Sequence, residues 1–339
     1  MKKIFRWILA VLLIVNMSWE GVACSSKYTK DLITVYTSKN RDFKVLQLSD
    51  LHLTNDLDGA YANSKPDETY ANITQIISQT NPNLIVLTGD IFFHNLSKLQ
   101  EFKEFMDSFK INWTFTFGNH DALTIEEKIE IANGLESSKY CLFRNEYQNI
   151  ETSHMGDHII LLKTKWSKKL RFAFYFFDSG IHQAKPDGKA YYESVYSDQL
   201  EHYQNTILKV NMEYTKQTKI SSSKIPHIIF QHIPVEEFDV AYNDNSSIKL
   251  YGEKYENPCY GELNTGEFET VKNMGAKGIF VGHDHANNYG VNYKGIILSY
   301  DGQIGYSNGY LNDDSSKSGV LITICPNGSI KSNLVFVEK

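Results

Sequence analysis

An α/β fold built from layers of strands and helices is predicted, and three features of the sequence predict it. Short continuous apolar runs, such as 43–48 and 84–87, read as strands buried on both faces. Each run is followed by a polar turn, Ser49-Asp50 or Gly89-Asp90, and then by apolar residues at helical spacing. The 339 residues are 42% hydrophobic and 22% charged, enough to bury a large core and too apolar for a disordered chain.

After the strand at 43–48, a helix is expected to begin near Pro66, where a missing N–H is tolerated. Ile73, Ile76 and Ile77 supply its apolar face, and Asn81-Pro82 stops it. The strand at 84–87 leads to a second helix with Ser97 as expected N-cap and Phe102, Phe105, Met106 and Phe109 on one face. A strand over 113–117 then ends in Gly118-Asn119. Further strands are expected at 159–162, 171–177, 227–230, 278–281, 295–299 and 320–324, with a long helix over 198–214. Residues 233–266 lack clear periodicity, are rich in Tyr, Glu and Asn, and read as a functional rim or lid. No repeat or Pro/Gly linker divides the chain beyond residue 24, so 24–339 is read as one domain.

Lys2, Lys3 and Arg6 precede an apolar run at 7–15, and the small residues Gly21 and Ala23 flank a cut before Cys24. This is the pattern of a signal peptide over 1–23, so export is expected, and nine apolar residues are too few for a membrane span. Gly21-Val22-Ala23-Cys24 loosely resembles a bacterial lipobox, so membrane attachment is expected only if Cys24 is lipidated or the leader is kept. The 34 Lys and Arg against 40 Asp and Glu give a net charge of −6, which becomes −8 once the leader's three basic residues and Glu20 are removed. Arginine is then confined to Arg41, Arg144 and Arg171, and a nucleic-acid partner is not expected. Cys24, Cys141, Cys259 and Cys325 have no C-x-x-C spacing, which argues against a zinc ribbon or a thioredoxin-like site.

The chemistry-bearing residues fall in one kind of place. Asp50 and His52, then Asp90, then Asn119, His120 and Asp121, then His232, then His283 and His285 each lie just past the end of an apolar run. In an open α/β sheet such ends line one crevice. A Gly-Asp after a strand is ordinarily a turn, and a lone histidine is ordinarily a surface or satisfied core residue. Neither accounts for five of the eleven histidines standing at strand ends beside carboxylates or an amide. His94, His154, His158, His182, His202 and His227 have no such setting.

The ordered set Asp50-Leu51-His52, Gly89-Asp90, Gly118-Asn119-His120-Asp121, His232 and Gly282-His283-Asp284-His285 resembles the calcineurin-like metallophosphoesterase superfamily, from residue 43 to about 310. Gln231-His232-Ile233-Pro234 and the text around Asp50 and His283 are similar to its purple-acid-phosphatase-like branch. The resemblance implies an α/β fold in four αββα layers, a layered β-sandwich of mixed sheets flanked by helices. It also implies two divalent metal ions bridged by Asp90, with Asp50, His52 and His285 completing one site and Asn119, His232 and His283 the other. Imidazole-rich ligation favours Mn, Fe or Zn. Phe93 stands where the purple enzymes carry a tyrosine, so no tyrosinate colour is expected.

The chemistry so implied is attack of metal-activated hydroxide on phosphorus, with His120 protonating the leaving group or holding a phosphoryl oxygen and Asp121 orienting its imidazole. The expected function is that of an exported phosphomonoesterase acting on a small phosphate ester. The alternatives are a phosphodiesterase on small nucleotide or glycerol-type diesters and a catalytically silent, metal-stabilised surface binding protein. Phe92, Phe93, His94, Asn287, Tyr289, Tyr306 and Tyr310 follow motif strands, and packing is the favoured reading of the aromatic ones. Tyr242, Tyr251, Tyr255 and Tyr260 in the rim are read the same way. Oligomeric state is not legible.

Overall fold

The computed structural model describes residues 31–55, 64–93, 96–149, 151–152, 154–184, 190–306 and 316–338. The leader at 1–23, Cys24, His94 and Tyr310 lie outside the described residues. Two mixed sheets pack face to face, with elements numbered in chain order. The smaller runs β16 (Ile330–Phe336), β15 (Ser318–Ile324), β2 (Phe43–Leu48), β3 (Leu84–Thr88) and β4 (Asn112–Thr116). Its last three strands are parallel, and β15 runs antiparallel to β2 and β16.

The larger sheet runs β1 (Ile33–Thr37), β6 (His154–Thr164), β7 (Leu170–Phe176), β10 (His227–Phe230), β12 (Ala276–Val281), β14 (Ile296–Tyr300), β13 (Gly290–Tyr293) and β11 (Ile248–Tyr251), with β5 (Tyr147–Asn149) on β6. A separate hairpin joins β8 (His182–Ala184) to β9 (Ala190–Tyr192). Helices α1 (Pro66–Thr80), α2 (Leu99–Ser108) and α3 (Ile125–Glu136) flank the smaller sheet, while α4 (Ser197–Thr218) and α6 (Glu267–Met274) flank the larger. A short helix, α5 (Glu237–Ala241), precedes β11.

Side-chain alternation along the strands builds three apolar layers. Val45, Val86, Phe172, Phe174, Phe230, Phe280 and Ile322 fill the space between the sheets. Leu46, Ile85 and Leu87 turn the other way onto Ile73, Ile76, Phe102 and Met106 of α1 and α2. Ile159, Leu161 and Tyr175 turn onto Leu200, Tyr203 and Ile207 of α4. All seven residues of β7 are buried, which is why it reads as an apolar run from Phe172 onward, with Arg171 near its start. The outcome is the αββα sandwich expected, and every strand anticipated from the apolar runs is present to within a few residues at its ends.

Helix α1 has the predicted signals: Pro66 in its first turn, and Asn81 at the C-cap in the left-handed region with φ 46°, its N–H donated to Ile77 O. The expectation for Ser97 is corrected. Residues Leu96–Lys98 form a 3-10 turn, so Ser97 is inside helical backbone, and Lys98 takes the cap position of α2 without a side-chain cap bond. Helix α3 has no counterpart in the sequence reading, because Lys128 interrupts its apolar stripe of Ile125, Ile131, Ala132 and Leu135. Lys128 is buried and pairs with Asp178 at 2.5 Å. Part of 233–266 is also regular, since β11 pairs antiparallel with β13 as an edge of the larger sheet. Cys141, Cys259 and Cys325 are unpaired, and among the described residues no helix is long and apolar enough to cross a membrane.

Two buried histidines connect layers. His158 of β6 stacks on Phe176 at 4.4 Å and places Nε2 2.9 Å from Thr114 Oγ1 of the opposite sheet. His227 of β10 places Nε2 2.6 Å from the Tyr203 hydroxyl of α4. Burial pushes both imidazoles down to about 4. The unfolded chain takes up these protons near pH 6.5 and the folded chain near 4, so each histidine contributes stability above pH 6.5 that is lost as pH falls towards 4. The loss is steepest near pH 5, at up to about 1.4 kcal/mol per pH unit for each residue. Urea midpoints measured for native protein and for His227→Asn at pH 7, 6 and 5 should show a shallower dependence on pH in the variant, which will be weaker at pH 7. Equal slopes would mean that His227 is not held neutral.

Candidate metal centre

The residues singled out by the motifs meet at one edge of the sandwich, where the C-terminal ends of five strands converge. Asp50 and His52 follow β2, Asp90 follows β3 and Asn119–Asp121 follow β4, all in the smaller sheet, whereas His232 follows β10 and His283 and His285 follow β12 in the larger. The expected crevice of a single open sheet is thus the common lip of two sheets. Gln47 ties the sheets together beneath it, donating from Nε2 to Thr88 Oγ1 and to Val281 O, each at 3.0 Å.

Convergence is tight enough to dictate backbone. Asp50, His52, Asp90 and His283 have φ of 56°, 48°, 51° and 79°, a region costing non-glycine residues about 1–3 kcal/mol each. Two glycines let the loops touch. A Cβ on Gly89 would lie 2.7 Å from Gly118 Cα and from His232 Nδ1, and one on Gly118 would lie 2.2 Å from Asp90 Oδ1. Backbone bonds from Asp50 N to Gly89 O (3.2 Å) and from His52 N to Asp90 O (3.0 Å) lock the first two loops together.

Donor atoms of Asp50, His52, Asp90 and His285 all lie within 4.8 Å of one another. His285 Nε2 is 3.1 Å from Asp50 Oδ1, and His52 Nε2 is 3.2 Å from His285 Nε2. Asp90 is shared. Its Oδ1 accepts the backbone N–H of His120 at 2.8 Å, and its Oδ2 lies 3.7 Å from His52 Nε2 on one side and 3.3 Å from His232 Nε2 on the other. On that second side, Asn119 Oδ1 is 3.1 Å from His232 Nε2, and the rings of His232 and His283 are 5.0 Å apart. Buried His283 Nε2 has no hydrogen-bond partner. His232 Nδ1 lies 2.7 Å from Thr88 O, a bond that directs Nε2 towards Asp90.

Burial pushes the Asp50 carboxyl up, but His285, His52 and His232 outweigh it and hold the group well below the usual carboxylate range. Asp90 is held low in the same way by His232, His120 and His52 against its own burial. Burial would lower His232, yet Asp90 and Asp50 raise it to about 10, whereas burial and the neighbouring His232 push His283 well down. Two anionic carboxylates, four imidazoles and an amide oxygen, buried except for the partly exposed His283 and His285 and turned towards one another, fit a divalent cation.

Two residues expected in the chemistry have different surroundings. The Asp121 carboxylate faces backbone rather than the His120 ring: Oδ2 accepts from Asp90 N at 2.9 Å and Gly118 N at 2.7 Å, and Oδ1 from Phe92 N at 2.8 Å. It clips the Asp90 loop to the Asn119 loop. The His120 ring stacks on Phe93, with centroids 4.5 Å apart and planes 14° from parallel, and lies 5.5 Å from the His52 ring.

Of the rim candidates, Phe92 and Tyr289 are core residues, and Asn287 accepts the N–H groups of Tyr255 and Glu256. Tyr306 lies under Lys65 and Lys317, Tyr242 bonds Glu253, Tyr251 bonds Ser299, and Tyr255 and Tyr260 are exposed. The sequence reading passed over Tyr192, whose ring meets the His283 ring edge-on at 4.4 Å. It also passed over Asp301, whose Oδ1 lies 2.7 Å from Ser49 Oγ, itself 2.5 Å from Asp50 Oδ2. Asp301-Gly302 after the apolar run of β14 is the same strand-end signal that marked Gly89-Asp90.

Comparison with known proteins agrees with this geometry. The family described as calcineurin-like phosphoesterase matches residues 43–287. Among curated relatives, the chain is 26% identical over 292 residues to probable inactive purple acid phosphatase 29 of Arabidopsis thaliana, covering 79% of this chain and 73% of that one. It is 27% identical over 288 residues to probable inactive purple acid phosphatase 14 of the same plant, covering 78% and 71%. A dimetal phosphatase from Danio rerio has a similar fold, with a TM-score of 0.50, 10% identity, and coverage of 87% of this chain and 99% of that one. A match over most of the chain, joined to a buried Asp/His centre at the lip of an αββα sandwich, makes this protein a member of the calcineurin-like phosphoesterase family.

Proposed function

We propose that the chain is an exported phosphomonoesterase that works with two divalent ions drawn from Mn, Fe and Zn. The observation that carries the proposal is the placement of Asp90 Oδ2 between His52 Nε2 at 3.7 Å and His232 Nε2 at 3.3 Å, which makes one oxygen common to two donor sets. Asp50, His52 and His285 would hold the first ion with Asp90, and Asn119, His232 and His283 the second. Bound there, divalent ions supply Lewis acidity, activating water and offsetting phosphoryl charge.

The residues around the donors do the rest. Asp90 Oδ1 anchors the His120 backbone and Phe93 stacks on its ring, so the imidazole is held beside the centre, where it protonates the departing oxygen or holds a phosphoryl oxygen. Asp121 acts on His120 through the backbone, by fixing the Asp90 and Gly118 amides. Export is supported by the leader pattern at 1–23.

A second reading has an observation in its favour: the two Arabidopsis relatives are named probable inactive phosphatases. This chain would then be a catalytically silent, metal-stabilised binding protein. Against that reading, all seven donor positions are filled and face one another at the strand ends.

Purified protein with added Mn should release p-nitrophenol from p-nitrophenyl phosphate faster than from the bis-ester, and Asp90→Asn should abolish both activities. A faster bis-ester reaction would make it a diesterase, and no turnover by metal-loaded protein would leave the silent reading. His120→Ala should lower kcat by about 100- to 10,000-fold. Its metal content, measured by mass spectrometry, should stay at the native level, and a metal-free His120→Ala protein would overturn the assigned role.

A further inference from the structure

His283 and His285 flank Asp284 on the loop after β12, and His283 has a left-handed backbone that the loop alone does not favour. Its conformation must therefore be imposed from outside, and the rim segment is packed where it can impose it. Asp284 points away from the donors: its carboxylate accepts the Cys259 N–H at 3.1 and 3.2 Å and the Tyr300 hydroxyl at 2.6 Å. Glu256 Oε1 accepts from Ala286 N at 2.8 Å, while Asn287 Oδ1 accepts from Tyr255 N at 2.9 Å and Glu256 N at 3.1 Å. Glu253 N donates to Asn288 Oδ1 at 3.0 Å.

The same segment then crosses to the other side of His283. Glu262 N donates to Tyr192 O at 3.0 Å, Leu263 N to Ser194 Oγ at 3.2 Å and Thr265 Oγ1 to Val195 O at 2.8 Å. Gly261 packs so closely there that a Cβ would lie 2.2 Å from Ser194 Oγ. Tyr192, held by this second half of the segment, sets its ring edge-on to His283 at 4.4 Å. One stretch of chain thus grips the histidine loop at residues 253–259 and the wall facing it at residues 261–265.

We propose that residues 253–265 are a clamp that sets the affinity of the centre for its metal, with Asp284 as the positioning residue through which the clamp aims His283 and His285. The inference rests on the metal centre assigned above. Its content is that a segment with no ligand of its own governs how tightly the ion is held. Altering groups that orient metal ligands typically weakens affinity by about 10- to 100-fold.

The test is Mn binding to the purified full chain, by competition with a fluorescent chelator, together with the melting temperature of metal-free protein. Asp284→Ala should weaken Mn binding by about 10- to 100-fold, and Asp284→Asn, which keeps an acceptor for Cys259 N and Tyr300, should recover most of it. Glu256→Ala removes one partly exposed acceptor, so it tests the clamp even if Asp284→Ala fails to fold. It should weaken Mn binding by a smaller factor while leaving the metal-free melting temperature unchanged. Native-like affinity in folded Asp284→Ala, or in Glu256→Ala should the former not fold, would overturn the clamp and leave the metal centre standing. A native chain that is folded but binds no Mn would overturn the metal centre itself.

Discussion

The position of one carboxylate constrains the whole active edge. Asp90 Oδ2 faces imidazoles carried by two different sheets, so the stagger of the sheets sets the spacing at that point. The smaller sheet delivers Asp90 from β3, and the larger delivers His232 from β10. The inter-sheet phenylalanine layer fixes their separation, and the Gln47 amide, bonded to both sheets, fixes their slide. Close packing in such a layer transmits displacement rather than absorbing it. A change in the phenylalanine core would therefore be felt at the donors about as directly as a change beside them.

Polar groups carry the same constraint into the helices. Lys128 of α3 reaches buried Asp178 just beyond β7, and Asp178 Oδ2 also accepts Met155 N of β6 at 2.9 Å. Asp157 Oδ1 accepts Asp178 N at 2.8 Å, and Gln199 of α4 donates to both Asp157 and Asp178 O. Burial pushes the Asp157 carboxyl well above the carboxylate range. Helices from both outer layers are thus bonded to the turn after β7, whose Ser179 hydroxyl accepts the N–H of Ile233 beside His232. Such a network is costly to build in a low dielectric and specific once built, because few other packings satisfy all of its members.

How much of this was legible follows from the kind of signal each feature leaves. Strands buried on both faces leave apolar runs, so β2, β3, β4, β7, β10 and β12 were readable, and with them the positions of every donor at a strand end. Edge strands leave little: β1, β11 and β16 alternate or are short, and β16 is half exposed along its length. Helix α3 was hidden by Lys128, a charge on its buried face that only tertiary pairing explains. The division into two sheets was invisible to periodicity and entered through the family resemblance. The partner of Asp121 was misjudged because sequence adjacency to His120 suggested a side-chain contact, whereas the loop turns that carboxylate onto three backbone amides.

The left-handed backbone at Asp50, His52, Asp90 and His283 has a consequence for descent. At each of these four places glycine would suit the chain better as far as conformation is concerned. Drift to glycine in a lineage with no use for the ion would therefore be rewarded locally, since it would relieve strain as well as pass unnoticed by function. Local hydrogen bonds offset part of that strain, since Asp90 Oδ1 accepts the His120 N–H and Asp50 Oδ2 the His283 N–H, and a bound divalent ion would have to offset the rest.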